Sequence, residues 1–199
     1  EVIPLDGSVD GTADWATTLI HNTPPAFALE QQPSTVTTID ALSISGSPVD
    51  KDPEDSVTLS YLWWRGVQAT NYVDAVLPAE ATRKGDTWQV VIRPNDGEDD
   101  GPEVQSTSIS VVNTPPTIGT LTLSSLSPTQ TDILTVNISG TDDADNDQVF
   151  FDYSWTVNGA GLPLTSQTID GGSFDKNDVL VCTVTPQDSS SSGTPVASG

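Results

Sequence analysis

Two short stretches of this sequence are dense in carboxylates at near-alternating positions. One runs Asp50-Lys51-Asp52-Pro53-Glu54-Asp55, the other Asp142-Asp143-Ala144-Asp145-Asn146-Asp147. Two further loops carry more side-chain oxygens, Asn95-Asp96-Gly97-Glu98-Asp99-Asp100 and Gln187-Asp188-Ser189-Ser190-Ser191-Ser192. Carboxylates crowded together repel one another unless a cation neutralises them. A donor set made only of oxygen suits a hard divalent ion, and Ca²⁺ takes about six to eight such ligands in tolerant geometry. Zinc, copper and iron find no ligand set here, because the chain has one histidine, His21, and one cysteine, Cys182.

The spacing Asp143-x-Asp145-x-Asp147 matches the opening of an EF-hand loop, but the sixth position is Gln148 instead of Gly and the twelfth is Ser154 instead of Glu. An EF-hand is therefore excluded. Catalysis finds little material. No Gly-x-Ser-x-Gly elbow accompanies His21, and with 28 Asp+Glu some pair reaches glycosidase spacing in any fold. The chain reads as a non-enzyme. Lys51, Lys84 and Lys176 invite a Lys–Asn crosslink, yet Lys84 and Lys176 fall at equivalent turn positions and read as solvated turns. Trp64 with Tyr72 or Trp15 offers a platform for surface glycans, and packing against a neighbour is the commoner fate of such residues. Asn137-Ile138-Ser139 is a glycosylation sequon.

The elements that carry these loops follow from composition and repetition. Acids are strongly biased, 22 Asp against 6 Glu, and Asp favours turns and caps where Glu favours helices. The formal charge of −22 repels nucleic-acid backbones and anionic membrane surfaces. No apolar run approaches the roughly 20 residues that span a bilayer, so membrane insertion is not expected. The absence of Met points to a processed or truncated start, with any signal peptide removed.

Asn22-Thr23-Pro24-Pro25 recurs as Asn113-Thr114-Pro115-Pro116, 91 residues on. Leu42-Ser43-Ile44-Ser45-Gly46 pairs with Val136-Asn137-Ile138-Ser139-Gly140, and the loop Asp50 to Asp55 with Asp142 to Asp147. Leu59-Ser60-Tyr61-Leu62-Trp63 pairs with Phe151-Asp152-Tyr153-Ser154-Trp155, and Lys84 with Lys176, at 92 residues. A match held at several places is an internal repeat. Within each repeat, alternating runs such as Leu134-Thr135-Val136-Asn137-Ile138 separated by turn residues predict short strands in a two-sheet sandwich. Cys182 falls opposite Val90 and reads as small apolar filler.

The Asn-Thr-Pro-Pro junction, the Asp-rich loop before Tyr-x-Trp and the turn Pro94-Asn95-Asp96-Gly97 resemble the tandem immunoglobulin-like repeats, cadherin-like or PKD-like, of bacterial and archaeal surface and filament proteins. The Trp-Asp-Phe-Gly-Asp signature of PKD domains is replaced by Trp155-Thr156-Val157-Asn158-Gly159, and full cadherin calcium motifs are absent. The expected fold is all-β: two tandem immunoglobulin-like β-sandwiches, residues 22–112 and 113–199, with an N-terminal donor-type strand in 1–21. By the repeat frame, 1–21 is the last strand of a preceding or neighbouring unit, and the second unit stops before its own last strand.

In such a sandwich the acidic loops meet at the leading end of each unit. Asp142, Asp143, Asp145, Asp147, Asp188 and Asn113 then form one candidate calcium site, and Asp50, Asp52, Asp55, Asp96, Asp99 and Asn22 the other. The reading is an extracellular or cell-surface structural subunit of a filament. Copies join head to tail by strand complementation, through residues 1–21 and the open edge of repeat two, and structural calcium stiffens the junctions. Two alternatives are a stalk or adhesin segment of a long surface protein and a carbohydrate-binding accessory module of a secreted hydrolase.

Overall fold

Segments in which every second residue is apolar pair as strands because that face alone can leave water. The computed structural model describes Ile3 and residues 15–198. Unit one contains β1 (Ala26–Gln31), β2 (Thr35–Thr37), β3 (Leu42–Ser43), β4 (Ser45–Val49), β5 (Thr58–Arg65), β6 (Gln68–Ala69), β7 (Val76–Leu77), β8 (Thr87–Asn95), β9 (Val104–Gln105) and β10 (Ile109–Val112). Unit two contains β11 (Thr120–Leu123), β12 (Ile133–Ser139), β13 (Phe150–Val157), β14 (Ala160–Gly161), β15 (Thr168–Asp170), β16 (Leu180–Gln187) and β17 (Val196–Ala197). Both are immunoglobulin-like β-sandwiches, as the alternation predicts.

In unit one the pairs β1–β4 and β3–β7 and the sheet β2-β10-β8-β5-β6, with β9 beside β8, enclose a single core. Phe27, Leu42, Trp63, Leu77, Trp88, Val90, Ile92, Ile109 and Val111 fill it. In unit two the sheets β11-β12-β15 and β14-β13-β16-β17 enclose a separate core around Trp155, with Leu134, Val136, Ile169, Phe174, Cys182 and Val184. The two tryptophans sit alike: Trp63 Nε1 donates to the Asp74 carbonyl and Trp155 Nε1 to the Ser166 carbonyl, both at 2.9 Å. Cys182 faces Trp155 where Val90 faces Trp63, fully buried, and loss of hydration pushes its thiol up to about 11.

In β3 and β12 the repeat register differs from the sequence expectation. Leu42 pairs with Leu77 and Leu134 with Ile169, so Leu42 corresponds to Leu134 and the two Ile-Ser-Gly motifs lie two residues out of register. A slip of two keeps every side chain on its own face, so alternation alone cannot reveal it. Each Asn-Thr-Pro-Pro junction is pressed against the turn after the last long strand. A Cβ on Gly101 would collide with the Pro25 carbonyl oxygen, and one on Gly193 with that of Pro116. Only glycine admits such an approach.

Of the leading segment 1–21, residues 1, 2 and 4–14 lie outside the described residues, and residues 15–25 form no strand within this chain. In unit two β17 pairs with β16 as β9 does with β8.

Candidate metal centre

The leading end of each unit is built from three pieces of chain. In unit one the loop between β4 and β5 supplies Asp50, Asp52 and Asp55, the turn after β8 supplies Asp96, and the junction supplies Asn22 and Thr23. Asn22 Nδ2 donates to Asp96 Oδ2 (3.0 Å) and Asp99 Oδ2 (3.1 Å), while the Thr23 amide donates to Asp52 Oδ2 (2.8 Å). Unit two repeats the scheme. Asn113 Nδ2 donates to Asp188 Oδ2 (2.8 Å), and the Thr114 amide to Asp145 Oδ2 (2.7 Å).

These contacts set a structural correspondence. The Asp52 amide donates to Asp50 Oδ1 and the Asp145 amide to Asp143 Oδ1, both at 2.9 Å, so Asp50 matches Asp143 and not Asp142. Asp142 instead pairs its backbone with Thr117, and its side chain is exposed outside the cluster. Asp99 is also exposed: its side chain accepts from Asn22 Nδ2, and its amide donates to Asp96 Oδ1 at 2.8 Å.

One carboxylate oxygen each from Asp50, Asp55 and Asp96 lies within 4.8 Å of the others, and the same holds for Asp143, Asp145 and Asp147. Asp50 Oδ2, Asp143 Oδ2 and Asp145 Oδ1 are buried with no hydrogen-bond partner. The other oxygen of each of these three carboxylates is held by a backbone N–H. Each carboxylate is thereby oriented, with one oxygen left without a hydrogen-bond partner. Buried polar atoms normally have partners, so the donor set fits a hard divalent ion at both ends.

Lost hydration, then repulsion from Asp50, Asp96, Asp52 and Glu54, holds the Asp55 carboxyl above the usual carboxylate range. Amides of the Asp96–Asp99 turn, followed by Asn22, hold Asp96 below it. Asp188 also lies below it: desolvation opposes, but hydrogen bonds from Asn113, Ser190 and Ser191 prevail. Among the described residues no Lys, Arg or His pairs with the cluster of unit one.

Unit two differs through a residue that repeat equivalence alone places in solvent. Lys84, in the turn before β8, crosses the junction and gives Nζ–H bonds to Asn113 Oδ1 (2.9 Å) and to Asp147 Oδ2, which it also pairs as an ion. The hydrogen bond to Asp147 raises the lysine pKa. The Thr38 amide and hydroxyl both bond Thr114 Oγ1, at 3.1 and 2.6 Å, beside the lysine. The Lys84 turn is therefore a junction contact. Its position in the repeat identifies a turn, but not the loop that the turn faces. Tyr72, named with Trp64 as a platform for glycans, meets Trp88 edge-on, with ring centroids 6.3 Å apart at 72°.

No protein-family model matches the chain, and no curated protein does. Among solved structures it is similar to the FN1–FN3 domains of chicken CNTN1, at 12% identity and TM-score 0.39, covering 87% of this chain and 66% of that one. A segment of consecutive titin domains gives 12%, TM-score 0.37, and coverage of 96% and 68%. Three N-terminal domains of the highly immunogenic outer capsid protein of bacteriophage RB49 give 19%, TM-score 0.35, and coverage of 87% and 58%. The chain thus spans about two thirds or less of the length of these structures, and its fold class rests on the strand pairing above. Among the described residues no helix is long and apolar enough to cross a membrane.

Proposed function

We propose that this chain is a non-enzymatic structural subunit of an extracellular or cell-surface filament. Its copies join head to tail by strand complementation, and calcium at the leading ends stiffens the joints. The observation that carries the reading is a groove. In unit one β10 lies between β2 and β8 and buries Ile109 and Val111 in the core. The corresponding space in unit two, between Leu126–Gln130 and Phe174–Leu180, is an open cleft of about 460 Å³. Leu126, one of its lining residues, is 85% exposed.

Residues 18–21 precede Asn22 as β10 precedes Asn113, which aligns Ile20 with the buried Val111. Leu19 and Ile20 are 75% and 82% exposed and free to enter another sheet. Added there, the segment gains main-chain hydrogen bonds along β16 and covers apolar surface, the two terms that drive strand addition. The contact is head to tail and does not close, so it builds a fibre.

Deletion of residues 1–21 tests this. Sedimentation and negative-stain microscopy of the full chain should show end-to-end polymers, and the deletion should give folded monomers. Polymers unchanged by the deletion would exclude strand complementation.

A further inference from the structure

The junction inside the chain has a second half that is assembled and, among the described residues, unpaired. Lys84 sits in a turn where Asp86 Oδ2 accepts the Arg83 amide (3.0 Å) and Gly85 adopts φ 89°. Lys176 sits in the same turn: Asp178 Oδ2 accepts the Asp175 amide (2.7 Å) and Asn177 adopts φ 77°. The neighbouring loop is also duplicated, since Asp40 Oδ2 accepts the Thr37 amide (2.8 Å) and Asp132 Oδ2 that of Thr129 (2.6 Å). The trailing face of unit two therefore presents its lysine as the trailing face of unit one does. Lys176 is exposed and, among the described residues, makes no hydrogen bond or ion pair.

The receiving half is equally vacant. Lys84 is accepted by Asn113 Oδ1 and Asp147, whose counterparts in unit one are Asn22 Oδ1 and the Asp55 carboxylate. Asn22 spends its NH₂ group on Asp96 and Asp99, but its Oδ1 accepts nothing among the described residues, and the Asp55 carboxylate has no hydrogen-bond or ion-pair partner there. One free donor and two free acceptors thus stand at opposite ends of the molecule, in the arrangement that is closed at the internal junction.

We propose that Lys176 of one copy docks on Asn22 and Asp55 of the next, so that the joint between copies reproduces the joint between units. The inference rests on the head-to-tail reading above and names the polar latch of that joint. It is compatible with calcium, because at the internal junction the oxygens of Asp143 and Asp145 stay unpartnered while Lys84 is bound. The lysine engages the rim of the cluster and leaves its centre open. Opposite charge there also selects register: a copy offering its acidic end to another acidic end meets only repulsion.

The test uses three preparations of the full chain: wild type, Lys176→Glu and Asp55→Lys. Each substitution sets like charges against each other in a homopolymer and should raise the critical concentration for assembly roughly tenfold or more. In a one-to-one mixture the two variants alternate. The acid introduced at position 176 of one then meets the lysine introduced at position 55 of the other. At the next joint the native Lys176 meets the native Asp55. The mixture should therefore assemble near the wild-type concentration. Melting curves of wild type and Lys176→Glu, read below the critical concentration, should match because Lys176 makes no hydrogen bond or ion pair among the described residues. Wild type that assembles while Lys176→Glu assembles equally well overturns the latch alone. Single variants that fail and a mixture that is not rescued also overturn it. Wild type that never assembles overturns the head-to-tail reading and the latch together.

Discussion

Replacing Asp143 by Asn changes one oxygen of the second cluster and little else. Asp143 Oδ1 keeps the Asp145 and Asp147 amides at 2.9 and 3.0 Å, so the loop retains its hydrogen bonds, and only the unpartnered Oδ2 becomes an NH₂ group. Asp50→Asn is the same change in unit one, where Oδ1 holds the Asp52 amide at 2.9 Å. A ligand that binds only the folded state at 100 times its dissociation constant stabilises by about 2.7 kcal/mol. For a unit of roughly 90 residues each kcal/mol moves Tm by about 4–8 °C, so saturating calcium should raise each unit by about 10–20 °C. The cores of the two units are separate, and differential scanning calorimetry should therefore resolve the effect by unit. Asp50→Asn should cancel the calcium shift of one transition and Asp143→Asn that of the other. A wild-type scan unchanged between calcium and chelator would refute the reasoning. A shift in both transitions that survives both substitutions would refute it equally.

Four further outcomes are expected. Gly193→Ala drives a Cβ into the Pro116 carbonyl oxygen, and overpacking of this kind costs about 1–3 kcal/mol, read as a lower melting temperature of unit two alone. Trp155→Ala empties the second core at a cost of about 3–5 kcal/mol, and calorimetry should show unit two lost while unit one keeps its transition. Cys182 is fully buried and its thiol is pushed up to about 11, so thiol reagents at neutral pH should label it only on unfolding; fast labelling of the native protein contradicts this. Acid titration of calcium-free protein should show two opposing limbs. The raised Asp55 value is a penalty that disappears as pH falls through it, whereas the depressed Asp188 value is a stabilisation present above the unfolded pKa and lost as pH falls through the folded one. Asn113→Ala, which removes the bond to Asp188, should flatten the second limb in pH-dependent melts.

Much of this protein is written in local sequence. Alternation around Tyr61-Leu62-Trp63 and Tyr153-Ser154-Trp155 specifies strands because a pleated strand presents every second residue to the core. The Asp bias places the acids in turns, and the 91-residue repeat of Asn-Thr-Pro-Pro associates Asn22 and Asn113 with acidic loops, where they donate to Asp96 and Asp188. These features are legible because each depends on neighbours in the chain or on a motif that occurs twice.

Tertiary structure decided what depends on contacts between distant residues. A shift of two residues in β12 preserves the inward face, so only the pairing of Leu134 with Ile169 reveals it. Whether Asp142 or Asp143 turns into the cluster differs by one step of a turn, and backbone bonds to Thr117 settle it for Asp142. Lys84 lies 63 residues from Asp147, and its own neighbours give no sign of that partner. Composition placed an excess of negative charge at the ends of the units. Only the packing of one unit on the next shows which lysine answers it, because an ion pair is set by where chain segments meet in space.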